Sequence, residues 1–151
     1  MTTKNSTHRL RQLTKTESVI MVVGAALMAV AAVMFVFAIR KPAAWIMLAG
    51  TGAFVAMQMR QTYQGKNITI RRLRSIMTVG NIFFVIAALL MVENAYQFLR
   101  PVFLKNGGSG DIMYFQYIFN KWVIALLVGS LIELYTTHRI SSELKKEEKK
   151  L

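Results

Sequence analysis

The chain has 151 residues, 54% of them hydrophobic, yet it carries a formal charge of +12. A soluble domain of this size has about 25% charged residues; here the fraction is 17%, gathered in clusters between apolar blocks. That pattern describes a membrane protein with one basic side, and the lack of cysteine excludes disulfides, cysteine-rich zinc sites, iron–sulfur clusters and thiol catalysis.

The same basic charge would suit nucleic acid, but that needs cations spread over a folded surface with exposed aromatics. Here the cations flank apolar runs, so no nucleic-acid partner is expected. His8 and His138 lie near opposite ends of the sequence without ligand-like spacing. No metal site and no cofactor are expected.

In chain order, residues 1–17 form a basic tail that closes on Thr14-Lys15-Thr16-Glu17. This is a capping box, with Thr14 as cap and Glu17 reaching back. That role is preferred for Glu17 over one as a transporter's coupling carboxylate. A bilayer core of about 30 Å needs about 20 apolar residues in a helix, and residues 18–39 supply a first span without an internal charge. Its run exceeds the ~7–15 residues of a signal-peptide core. The small residues Ala29, Ala31 and Ala32 fall in mid-run, so a retained anchor is expected.

Arg40-Lys41-Pro42 predicts a tight turn, with Pro42 at the first position of the next helix. The second span covers 42–59, its helix continuing to Tyr63 or Gln64 and stopping at Gly65. The third covers 75–92, in a helix that begins near Asn67 or Thr69 and holds Arg71, Arg72 and Arg74 in its first turns. The connection from Ala95 to Gly110 contains Pro101 and "NGGSGD", which predicts a mobile loop. Phe98, Val102, Phe103 and Leu104 would hold its first half at the membrane surface. Asp111 would cap a fourth helix whose span is 114–135. A charged tail, 137–151, then continues that helix and frays. The expected fold is an all-α membrane protein: four transmembrane helices, residues 18–136, in an antiparallel bundle.

Fourteen Lys and Arg residues lie on the side of the termini and the 60–74 loop, and four on the other, with Lys121 apart. The positive-inside rule then places both termini in the cytoplasm, with the spans in a bacterial inner membrane. The Asn67-Ile68-Thr69 sequon is ignored on this topology.

Helix packing in lipid rests on small residues that let backbones approach. Ala25, Ala29 and Ala32 mark one stripe, with Gly24 beside it; Ala49, Gly52, Ala53 and Ala56 mark another, and the two are expected to meet. Ala125 and Gly129 form a four-spaced pair on the last span. The alternative is that one stripe joins copies of the chain into a homo-oligomer.

Few polar residues lie within the spans. Asn81 is expected to hydrogen-bond across a helix interface, and Thr51 and Ser130 to bond their own helices. Glu93 and Lys121 should reach similar depth at the outer side, where Asn94, Gln97, Gln116 and Asn120 could complete a polar cluster. Glu133 lies level with Arg71, Arg72 and Arg74 at the inner side. A buried charge in hydrocarbon costs at least ~2.5 kcal/mol, so both groupings are expected to be register-setting ion pairs, with a substrate or ion site as the alternative. Lys121 can also snorkel. Tyr114, Phe115, Tyr117, Phe119, Trp122 and Trp45 read as an aromatic belt.

"YQGKNITIRRLRSIM", "FNKWVIALL" and "ELYTTHRI" together resemble small four-span inner-membrane proteins of Bacteroidota-type bacteria. The resemblance covers the chain from about Ser18 and implies no activity. The central glutamate of small multidrug transporters is missing from the first span, and the phenylalanine-box and asparagine pattern of fluoride channels is absent. No nucleophile–base pair can be assembled, so an enzyme is not expected. A non-enzymatic accessory or scaffold protein is the first expectation, with a basic cytoplasmic face toward anionic headgroups or a protein partner. A small oligomeric transporter or channel using Glu93, Lys121, Asn81 and Glu133 is the second.

Overall fold

The computed structural model describes residues 13–63, 65–105 and 107–150. Lys4, His8, Arg9 and Arg11 of the basic tail lie outside the described residues. Six helices follow in order: α1 Lys15–Val36, α2 Arg40–Arg60, α3 Ile68–Tyr96, α4 Arg100–Leu104, α5 Gly110–Tyr117 and α6 Trp122–Lys150. α1, α2 and α3 are each long and apolar enough to cross a membrane, as is the stretch Gly110–Lys150 that α5 and α6 share.

Local chemistry sets the helix ends. Thr14 Oγ1 accepts from the Glu17 N–H at 3.3 Å, and Glu17 Oε2 accepts from the Thr14 N–H at 3.0 Å. The other Glu17 oxygen takes Arg60 Nη1 at 2.7 Å, which ties the start of α1 to the end of α2. Glu17 lies ahead of the apolar run, and its carboxyl is held below the usual range by the Thr14 N–H first and Arg60 second. α1 stops at Val36, and Ala38 turns the chain in a left-handed conformation, φ 66°. α2 then starts at Arg40, so Pro42 sits within the first turn and not at its first position; a missing N–H is harmless there. The helix also ends earlier than Tyr63 or Gln64, at Arg60. Gln61 is already extended, and its carbonyl accepts from the Arg74 guanidinium, so Gly65 does not cap it.

α3 starts where Asn67 Oδ1 accepts from the Thr69 N–H at 2.9 Å and ends at Tyr96, capped by Gln97 at φ 53°. The following connection holds a helical turn, α4. Asp111 is not a cap; it lies in the first turn of α5 and pairs with Arg100 at 3.0 Å. The fourth span is not one helix either. The N–H groups of Ile118 and Phe119 both turn back to the Tyr114 carbonyl, and Asn120 adopts φ 58°, a conformation asparagine tolerates better than most residues. α6 restarts at Trp122 and carries the charged tail as helix to Lys150, braced by Glu143 with Lys146 at 3.0 Å and Arg139 at 3.5 Å.

α1 packs on α2, α2 on α3, and α3 on α6. Gly24 and Gly50 are the close approach between α1 and α2: a Cβ on Gly24 would stand 2.8 Å from the Gly50 carbonyl and 2.9 Å from the Phe54 nitrogen. Such contact replaces the hydrophobic drive that lipid removes. The buried face of α1 is Gly24, Met28, Ala31 and Phe35. That corrects the expected stripe. Ala25, Ala29, Ala49, Gly52 and Ala56 are exposed, and Ala32 and Ala53 half-buried, because successive residues turn by about 100° and the true stripe runs one residue over. Ala125 and Gly129 do face the core, Gly129 against the Phe84 ring. One apolar core joins Phe35, Met47, Phe84, Met91 and Trp122; a second, toward the charged end of α6, joins Ile70, Leu73, Met77 and Ile140.

Candidate functional site

Glu93 is 2% exposed, and its two oxygens each lie 2.9 Å from the Tyr114 hydroxyl, which is itself fully buried. Oε1 also accepts from the Leu99 N–H at 3.3 Å. One carboxylate therefore joins the end of α3, the turn after it and α5. Beside it, Asn94 Nδ2 donates to Asn120 Oδ1 at 2.8 Å. Asn94 Oδ1 and the Trp122 indole N–H have no partner among the described residues.

The expected pairing of Glu93 with Lys121 is not formed. No cation lies within 4 Å of Glu93 among the described residues, and Gln116 is exposed outside the cluster. The cause is the helix break. α5 delivers Tyr114 to the carboxylate, and Lys121 falls in the irregular segment ahead of α6. Tyr114 and Trp122 are consequently buried, not belt residues, whereas Trp45, Phe115 and Tyr117 are exposed. Trp45 donates to the Tyr96 hydroxyl at 2.8 Å, with Lys41 Nζ 5.7 Å from that ring.

The second grouping surrounds Glu133, 9% exposed. Its Oε2 accepts from Gln58 Nε2 at 2.7 Å, and its Oε1 has no donor among the described residues. Gln58 Oε1 and Asn81 Oδ1 are also buried without partners among the described residues, so the expected cross-helix bond of Asn81 is not formed among them. Thr51 Oγ1 is without a partner as well, against expectation, while Ser130 Oγ does donate to the Leu126 carbonyl at 2.8 Å.

Glu133 is not ion-paired with Arg71, Arg72 or Arg74 within 4 Å. Glu133 stands beside Gly80, six residues beyond Arg74, and six residues of helix rise about 9 Å. Arg74 instead reaches the Gln61 carbonyl, while Arg71 and Arg72 are exposed.

The two residues missed from the sequence are the partners, Tyr114 and Gln58. Gln58 had a signal, as an amide one turn after Phe54 in an apolar run. Tyr114 had none beyond aromaticity. No family model, curated protein or solved structure matches the chain.

Proposed function

We propose that the chain is a non-enzymatic accessory or scaffold protein of a bacterial inner membrane. Its four spans form an antiparallel bundle with both termini cytoplasmic, and its basic end meets anionic headgroups or a protein partner. The observation that carries this reading is the closed outer node. Glu93, the residue best placed for an ion path, is buried and committed to Tyr114 and a backbone N–H, which is the work of a joint. The exposed Arg71 and Arg72 supply the charge, at about 1 kcal/mol per suitably placed cation near an anionic leaflet.

Thermal unfolding in lipid nanodiscs tests this. The chain should be more stable in discs containing phosphatidylglycerol than in phosphatidylcholine alone, by about 1–2 kcal/mol. Arg71→Gln with Arg72→Gln should lower the difference by the share these two exposed cations supply. Equal stability in both lipids counts against the reading.

A second reading, a small oligomeric transporter or channel, draws on the unpartnered oxygens of Glu133, Gln58 and Asn81. It requires ion flux in proteoliposomes that Glu133→Gln abolishes. A tight membrane with wild-type protein contradicts it.

A further inference from the structure

α1 and α6 share no backbone contact among the described residues, and meet through the Phe35–Trp122 ring pair, centroids 5.0 Å apart. Below that pair they leave two hollows. The first, about 330 Å³, is apolar, with Ala25, Ala29, Phe54, Phe84 and Leu126 among its walls. The second, about 420 Å³, is also largely apolar, through Met21, Met77 and Ile140, but carries Gln58, Arg74 and Lys145 in its walls.

The hollows lie on the same faces of the same helices. Met21 of the second hollow is one turn before Ala25 of the first, and Gln58 is one turn after Phe54. On α3, Met77 and Phe84 are two turns apart, as are Thr137 and Ser130 on α6. One groove therefore runs between α1 and α6, apolar at mid-span and cationic at its end.

From this we infer that the groove holds a single anionic phospholipid, one acyl chain along the apolar part and the phosphate on Arg74 and Lys145. Charge complementarity identifies the occupant. Arg74 is half-buried at the end of the hydrocarbon run, and no carboxylate lies within 4 Å of it among the described residues. Glu133 acts on it from farther away, and Glu148 lines the hollow's far side. A guanidinium in that position binds phosphate through several N–H groups at once. Methionines 21, 28 and 77 line the walls, and their flexible thioethers adapt to an irregular chain.

The inference rests on the scaffold reading above and gives its basic end one defined ligand. Native mass spectrometry of the full chain in mild detergent, supplied with equal phosphatidylglycerol and phosphatidylcholine, tests it. One phosphatidylglycerol per chain should be retained, at least about ten-fold over phosphatidylcholine. Ala29→Trp should fill the apolar part and lower total retention about ten-fold. Arg74→Gln with Lys145→Gln leaves the groove open, so a lipid should stay bound with the two headgroups taken equally. If Ala29→Trp does not fold, the charge variant alone decides.

Retention indifferent to headgroup in the wild type, or no retained lipid, overturns the inference. So does a dimer without lipid that Ala29→Trp dissociates, since a second copy would then fill the groove. If the nanodisc dependence on Arg71 and Arg72 persists while groove variants change nothing, the groove fails and the basic-face reading survives.

Discussion

At one end of the bundle, Glu93 places both oxygens on Tyr114 and one on the Leu99 N–H; at the other, Glu133 gives one oxygen to Gln58 and leaves the other without a donor. Both side chains are buried among helices long and apolar enough to cross a membrane. The difference lies in the partner. The Tyr114 hydroxyl, brought in by a separate short helix, reaches both oxygens of its carboxylate, whereas the Gln58 amide reaches one oxygen of Glu133 and brings a carbonyl oxygen of its own. Gln58 Oε1 is itself unpartnered, so the Glu133 end keeps surplus acceptors. At Glu93 both carboxylate oxygens are engaged, although Asn94 Oδ1 beside them has no partner among the described residues, whereas the Glu133 end borders the second hollow through Gln58.

The sharpest way to break this contrast is Tyr114→Phe. It removes the only side-chain donor to Glu93 among the described residues and should cost about 1–3 kcal/mol in unfolding at fixed lipid composition, the penalty for a buried acceptor left without its donor. A loss below about 0.5 kcal/mol, the scatter of an ordinary surface change, would mean that the node is not a joint. Gln58→Leu should cost less, about 1–2 kcal/mol. It strands Glu133 Oε2 but also removes the unpartnered Gln58 oxygen. If Gln58→Leu proves the costlier of the two by the same assay, the assignment of joint and open end is reversed. Lys121→Met should change stability by no more than about 0.5 kcal/mol, because the ammonium has no acidic partner within 4 Å among the described residues. A large loss there would reinstate the Glu93–Lys121 pair.

Hydropathy and helix length made four apolar spans legible, and the Thr14–Glu17 box located the start of α1 to the residue. The details that failed share a cause, which is that sequence spacing gives depth along a helix but not which neighbour arrives there. Glu93 and Glu133 were recognisable as buried acids. The break at residues 118–121 was not, because Asn120-Lys121 reads as a polar pair on a continuous helix until the φ of 58° at Asn120 is seen. Without that break, Lys121 looks like the residue that meets Glu93. The small-residue stripes failed for a related reason. Ala25 and Ala29 are as small as Ala31, and only the Gly24–Gly50 contact chooses the face.

The placement of the basic end in the cytoplasm underlies the whole functional account, and single-cysteine labelling tests it most directly. The chain has no native cysteine, so Ser109→Cys and Ser142→Cys each report one position without background. In intact spheroplasts a membrane-impermeant maleimide should label Ser109→Cys, and should label Ser142→Cys only after permeabilisation. Labelling of Ser142→Cys from outside, with Ser109→Cys protected, would contradict the account.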